Sequence, residues 1–196
     1  MPDNSQNITI VVLAAGASTR LGQPKQLLRF GDKTLLAQIC EVALAVENQQ
    51  VIVVLGAHCE AIKPAIEQLP VQILTNEKWA DGMGSSIACG ISHLPKNADA
   101  VLLLLCDQPF VTAAFLEKLI EKWRSSNSRI VTSAYGGTFG PPAILDKKLF
   151  PELAALHGQH GAKKLMEKYG EHLELVDFPE GAVDIDSPDD LVRLGR

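Results

Sequence analysis

Five short aliphatic runs, at residues 8 to 13, 51 to 55, 71 to 74, 101 to 105 and 130 to 134, recur along this chain with helix-periodic segments between them. The first, Ile8-Thr9-Ile10-Val11-Val12-Leu13, and the fourth, Val101-Leu102-Leu103-Leu104-Leu105, are near-continuous apolar runs rather than alternating ones. Strands apolar on both faces must be covered on both faces, and strands alternating with helices are the mark of βαβ units. The pattern predicts an α/β chain with a mostly parallel sheet held between two helical layers, a three-layer, Rossmann-like arrangement.

Between the runs, Leu35, Leu36, Ile39, Val42, Ala43 and Val46 recur at three- and four-residue steps, which predicts a helix over about Thr34 to Val46. A second helix is expected near 58 to 68, started or kinked by Pro64. Thr112 is placed to cap a third, whose stripe of Phe115, Leu116, Leu119, Ile120 and Trp123 assigns Trp123 to the core. Ser187-Pro188-Asp189-Asp190 reads as the start of a short closing helix. Gly136 to Gly161 reads as an irregular accessory element with turn chemistry at both ends of a helix. With 196 residues and no internal repeat or composition break, residues 1–196 are expected to form a single domain.

Several function classes fall away on composition. No stretch approaches the ~20 apolar residues that span a bilayer, so no membrane role is expected. A formal net charge of −5 argues against a general nucleic-acid binder. Met1 to Asn7 is polar and has neither the basic start nor the apolar run of a secretory signal, which predicts a cytoplasmic protein. Cys40, Cys59, Cys89 and Cys106 form no C-x-x-C pair and sit among apolar or small neighbours, as buried reduced thiols do.

Charge is unevenly spread. Residues 16 to 33 hold Arg20, Lys25, Arg29 and Lys33 against Asp32 alone, whereas residues 171 to 190 hold eight acids and no Lys or Arg. An anion site and a cation site are both implied. The first belongs to Leu13-Ala14-Ala15-Gly16-Ala17-Ser18-Thr19-Arg20-Leu21-Gly22-Gln23-Pro24-Lys25, which follows the first strand. Its small residues let backbone N–H groups approach phosphate oxygens, Arg20 can fork onto them, and Lys25 adds a point charge. A Walker A loop is excluded because Leu21 stands where its second glycine should be. A dinucleotide fingerprint is excluded because Gly16 and Gly22 stand without the third glycine, and the second strand runs into Gly56-Ala57 rather than an acid.

The fourth strand ends in Cys106-Asp107-Gln108-Pro109, which delivers a carboxylate to the sheet edge where the phosphate loop should lie. Mg²⁺ is usually held by one or two carboxylates plus phosphate oxygens, so Asp107 is the first candidate metal ligand. In Val183-Asp184-Ile185-Asp186, alternation places Asp184 and Asp186 on one face of an extended segment. The five histidines show no triad-like spacing.

The first loop resembles the nucleotidyltransferase signature L-A-A-G-x-S-x-R-x-G-x-x-K, and Gln26-Leu27-Leu28-Arg29-Phe30-Gly31 continues the likeness. The version here is most similar to the MocA-like, MobA-related branch that contains molybdenum cofactor cytidylyltransferase. Further segments follow in family order: Asn76 to Ser86, similar to N-x-x-W-x-x-G-M-x-x-S; Leu104 to Pro109; Gly137 to Leu145; and Val183 to Leu191, similar to D-[IV]-D-T-P-x-D-L. The acceptor-side motifs depart from the pattern. Pro141 stands where several members carry His, and Gly158-Gln159-His160-Gly161-Ala162-Lys163 replaces G-D-x-G-A-R, which alters charge and fork geometry there.

The resemblance implies the nucleotidyltransferase fold and in-line attack by an acceptor phosphate on the α-phosphorus of a nucleoside triphosphate, with pyrophosphate leaving. It implies nucleotide binding by Leu13, Ala14, Ala15, Gly16, Ser18, Arg20, Lys25, Asn76, Gly82, Met83 and Ser86, and catalytic roles for Arg20, Lys25 and Asp107. It assigns Mg²⁺ to Asp107 and Asp184, with Asp186 in support. The implied reaction joins CMP from CTP to molybdopterin, with molybdenum hydroxylase apoenzymes as recipients of the product. Alternatives are a GTP-using guanylyl branch, from which Ala14-Ala15-Gly16 leans away, a sugar or alcohol phosphate acceptor, and a non-catalytic cofactor-binding maturation factor.

Overall fold

The computed structural model describes residues 6–185 and Asp190. The chain runs β1 (Ile8–Ala14), a small hairpin of β2 (Arg29–Phe30) and β3 (Lys33–Thr34), α1 (Leu35–Leu44), β4 (Gln50–Leu55), α2 (Cys59–Ile62), β5 (Gln72–Thr75) and α3 (Met83–Ser92). It continues with β6 (Ala100–Leu105), α4 (Ala113–Ser125), β7 (Ile130–Tyr135), β8 (Thr138–Asp146), α5 (Phe150–Ala154), α6 (Lys163–Lys168) and β9 (Leu173–Asp177). Seven strands form one sheet in the order β5-β4-β1-β6-β8-β7-β9.

β1 lies between β4 and β6 and is parallel to both, with Val12 opposite Val53 on one side and Leu104 on the other. The chain moves outward from β1 to β4 and β5 and then returns to β6 on the other side. The crevice outside the carboxyl ends of β1 and β6 is therefore a topological switch point, where open α/β sheets take their ligands. β1 is buried throughout, and its side chains alternate between two cores. Ile10 and Val12 join Leu36 and Ile39 of α1 and Leu116 and Leu119 of α4. Val11 and Leu13 join Ile87 of α3, Leu153 of α5 and Met166 of α6. The continuous apolar runs thus become strands covered on both faces.

Local signals explain most boundaries. The Thr34 hydroxyl accepts from the Ala37 N–H at 3.2 Å and starts α1, and the Thr112 hydroxyl accepts from the Phe115 N–H at 3.2 Å and starts α4. Trp123 is 4% exposed, in the core as expected. α2 is shorter than the expected helix, because Pro64 falls in a 3-10 turn over Lys63–Ala65 that ends it.

The region Gly136 to Gly161 corrects the expectation of an irregular accessory element. It opens with β8, a nine-residue strand antiparallel to both β6 and β7 in the centre of the sheet. Tyr135 pairs with Thr138, leaving a two-residue loop in which Gly136 and Gly137 have φ of 54° and 73°, the left-handed pair a tight hairpin requires. Pro141 and Pro142 obscured this strand, since proline cannot donate to a ladder. They are accommodated where the pairing slips between Thr132 and Ser133, an irregularity that asks for no N–H there. β9 was also not foreseen. The expected closing helix from Ser187 and the supporting carboxylate Asp186 lie outside the described residues.

All four cysteines are free, Cys40 and Cys106 buried and Cys59 and Cys89 only half-buried. Burial pushes the Cys40 thiol up to about 12. Among the described residues, no helix is long and apolar enough to cross a membrane.

Candidate active site

The loop after β1 is tied down at several points. The Gly22 N–H meets the Thr19 carbonyl at 3.4 Å and the Leu21 N–H meets the Ser18 carbonyl at 3.0 Å, with Ser18 itself at φ 53°. The Ser18 hydroxyl accepts from the backbone N–H of Lys25 at 3.0 Å, so the loop closes on itself just where the lysine departs. Lys25 then reaches Asp107 at the end of β6, and the ammonium forms an ion pair with the Oδ2 of that carboxylate. Their side chains are 16% and 13% exposed, so solvent screens the pair less than a surface bridge.

The other carboxylate oxygen, Asp107 Oδ1, is buried and has no hydrogen-bond partner among the described residues. Such an oxygen calls for a donor or a cation. The Ile185 N–H donates to the Asp107 carbonyl at 3.1 Å, which docks the acidic segment beside β6 and places Asp184 on the same cavity. No cluster of three or more His, Cys, Asp or Glu capable of holding a metal occurs among the described residues. Two carboxylates that leave the remaining positions to phosphate oxygens and water are the donor set Mg²⁺ prefers. The Asp107–Asp184 pair therefore fits a hard divalent cation.

The cavity has a volume of about 640 Å³ and is lined by Leu13 to Ala17, Thr19, Arg20, Lys25, Gln26, Trp79, Ala80, Gly82, Met83, Ser86, Leu105 to Asp107, Gln159 and Asp184. It joins the basic loop to the acidic segment from the far end of the chain. Ser18 and Asn76 are absent from this lining. Ser18 closes the loop, and Asn76, 5% exposed, donates from Nδ2 to the hydroxyls of Ser85 and Ser86 at 2.9 and 3.0 Å. Its Oδ1 accepts from the Lys78 N–H at 3.0 Å, so Asn76 is the hub of the turn that presents Gly82 and Met83. Among the described residues, no histidine lines the cavity.

Gly82 has φ 106°, and a Cβ on it would stand 2.5 Å from the Gly158 carbonyl oxygen. The turn before α3 thus seats directly against the 157–159 loop, a contact fixed by the Gly84 N–H donating to the Gly158 carbonyl at 3.0 Å. Gln159 reaches the cavity through this junction. Lys163 instead stands on the β7–β8 hairpin, its Nζ 2.6 Å from the Thr138 hydroxyl and 5.6 Å from the Phe139 ring centre.

Three contributors had no role assigned from sequence. Gln26, 0% exposed, donates from Nε2 to the carbonyls of Ala14 at 2.8 Å and Gly16 at 2.9 Å. Gln108, 3% exposed, donates to the Pro141 carbonyl at 2.9 Å and ties the end of β6 to β8. Tyr135 donates to the same carbonyl at 3.2 Å; burial raises its phenol pKa, and the Asp184 and Asp107 carboxylates raise it further. Burial likewise raises the Cys106 thiol, with Asp107 adding to it, so the cysteine in the lining stays protonated.

Residues 10–173 match the MobA-like NTP transferase domain. The chain is 30% identical to nicotine blue oxidoreductase of Paenarthrobacter nicotinovorans over 95% of its own length and 96% of that protein. It is also 30% identical to the purine catabolism protein PucB of Bacillus subtilis, covering 93% and 94% of the two chains. Among solved structures, Rv0371c from Mycobacterium tuberculosis superposes with a TM-score of 0.84 at 31% identity, over 97% of this chain and 98% of that one. A second structure of that protein, a complex with manganese, superposes at 0.79 with 32% identity over 96% and 97% of the chains. A strand order that opens its crevice beside β1, a phosphate-type loop in that crevice and relatives matched end to end all lead to the same assignment: this chain belongs to the MobA-like NTP transferase family and is an enzyme of the nucleotidyltransferase type.

Proposed function

We propose that this protein is a cytoplasmic, Mg²⁺-dependent cytidylyltransferase that joins CMP from CTP to the phosphate of a molybdopterin-type acceptor and releases pyrophosphate. The observation that carries the reading is the Lys25–Asp107 pair in the lining of the cavity, with Asp107 Oδ1 buried and unpartnered among the described residues and Asp184 on the same wall. An ammonium paired with one carboxylate, in a cavity shared with a second, serves a reaction in which negative phosphate oxygens enter the cavity.

Asp107 and Asp184 would hold Mg²⁺, whose contribution when bound would be neutralisation of negative charge on the phosphates. Lys25 exchanges the Asp107 carboxylate for an α-phosphate oxygen and stabilises the charge that develops there. Arg20 holds the departing pyrophosphate at the mouth of the loop. Gly82, Met83 and Ser86 form the wall toward the base, and Ala14 to Gly16 leave room for close approach of ribose and phosphates. The acceptor phosphate enters from the side of Gln159 and is already ionised near neutral pH, so the site needs no general base. The product would pass to a molybdenum hydroxylase apoenzyme. The name of the Paenarthrobacter relative belongs to redox chemistry, but a lysine paired with a carboxylate beside a small-residue loop serves phosphate transfer more directly.

The test is pyrophosphate release with a molybdopterin acceptor, Mg²⁺ and CTP, GTP, ATP or UTP in separate anaerobic reactions. Release with CTP alone is expected. Release with GTP alone moves the chain to the guanylyl reading. Silence with all four, with nucleotide still bound, refutes molybdopterin as acceptor and leaves sugar or alcohol phosphates, or a carrier role, to be assayed.

A further inference from the structure

Gln26 follows the catalytic lysine directly, yet it is 0% exposed. Its Nε2 donates to the carbonyls of Ala14 and Gly16, and its Oε1 is buried without a partner among the described residues. Leaving a carbonyl oxygen unsatisfied in the interior is unfavourable. What the arrangement secures is the direction of the backbone. In a trans peptide the carbonyl of one residue and the N–H of the next point opposite ways. Carbonyls of Ala14 and Gly16 held on Gln26 turn the N–H groups of Ala15 and Ala17 away from it. Between them, the Ala57 N–H holds the Ala15 carbonyl at 3.1 Å toward β4, which turns the Gly16 N–H toward the β6 side, where Asp107 stands. Ala15, Gly16 and Ala17 all line the cavity.

We propose that Gln26 is a positioning residue of the polyphosphate site: by holding the carbonyls of Ala14 and Gly16 it fixes the backbone N–H groups of Ala15 and Ala17 as donors to the phosphate chain, with Ala57 fixing that of Gly16 between them, and it acts through the backbone rather than on the ligand. The reading rests on the proposed nucleotide site only in taking a polyphosphate as occupant; neither the base nor the acceptor enters it. Leucine or methionine of similar volume would fill the space and lose the orientation. Glutamate, ionised, would repel the two carbonyls that Gln26 attracts.

A merely structural role lowers the fraction of folded enzyme and leaves affinity unchanged in what remains folded. A positioning role lowers affinity in folded protein. The experiment is calorimetric titration of inorganic tripolyphosphate into wild type, Gln26→Met and Gln26→Asn, each with its folded fraction measured by circular dichroism at the titration temperature. At least tenfold weaker binding by folded Gln26→Met is expected, with Gln26→Asn, whose shorter amide cannot span both carbonyls, weakened less. In steady state, the KM for nucleotide should rise more than kcat falls. Binding within twofold of wild type by either folded variant overturns the proposal; Gln26→Asn serves if Gln26→Met does not fold. Wild-type protein that binds no tripolyphosphate overturns the anion-site reading itself, whereas normal wild-type binding with unchanged variants overturns Gln26 alone.

Discussion

The two halves of the proposed site are built differently. The nucleotide half grows from the ends of parallel strands β1 and β6, and its key polar groups are buried or tied: Gln26 and Asn76 are 0% and 5% exposed, and Lys25 is paired to Asp107. The half proposed to take the acceptor comprises the 157–163 loop, whose Gln159 lines the cavity, and the antiparallel β7–β8 hairpin beyond it, where Thr138, Gln159 and Lys163 are exposed. Chemistry common to a family suits the rigid half, because positioning on strand ends costs little reorganisation. Choice of acceptor suits the exposed half, where side chains change without disturbing a core. The departures from the family pattern, at Pro141, Gln159 and Lys163, all fall there.

If this division is right, the largest effects come from the rigid half. Asp107→Asn should lower turnover on the order of 10³-fold or more, as loss of a metal carboxylate removes several kcal/mol of charge stabilisation. Its melting temperature should change little, which pyrophosphate release and circular dichroism together would establish. Near-wild-type turnover would remove Asp107 from the metal site. Lys25→Ala should cost roughly 10²-fold in kcat with a smaller change in KM. It should not weaken Mn²⁺ binding to the nucleotide-free protein, because the ammonium and a cation compete for the same carboxylate. An effect confined to KM would make Lys25 a binding residue only.

The junction between the halves comes next. Gly82→Ala places a Cβ at a φ of 106° that only glycine adopts easily and 2.5 Å from the Gly158 oxygen. A loss of about 1–3 kcal/mol is expected from strain at such a position, with a raised nucleotide KM as the 157–159 loop shifts. Equilibrium unfolding in urea checks the first part and saturation kinetics the second. Unchanged stability would show that the two loops do not lean on one another.

The same contrast governs what was legible beforehand. β1, β4 and β6 announced themselves because strands covered on both faces are written in uninterrupted aliphatic residues, and Asp107 and Lys25 could be placed from the ends of those strands. β8 could not, because Pro141 and Pro142 erase the local strand signal and only pairing on both sides restores it. The motif around Asn76 implies a nucleotide contact, whereas its amide bonds inside the turn. Gln26 lies in plain view beside Lys25, but its task is to hold carbonyls twelve and ten positions earlier in the chain, and no periodicity encodes that.

The smallest effect tests the exposed half. Lys163 holds the Thr138 hydroxyl and overlies Phe139, so its ammonium sits on the β7–β8 hairpin, at a position where the family pattern has arginine. Exposed cations contribute modestly, because solvent and salt screen them. Lys163→Ala should therefore raise the acceptor KM by only about three- to tenfold, leave the nucleotide KM unchanged, and have less effect at high salt. Lys163→Arg restores a planar fork and should lower the KM of an acceptor whose phosphate accepts two parallel hydrogen bonds. Were Lys163→Ala to weaken nucleotide and acceptor equally, the hairpin would belong to the rigid half after all, and the separation of chemistry from acceptor choice would fail at this residue.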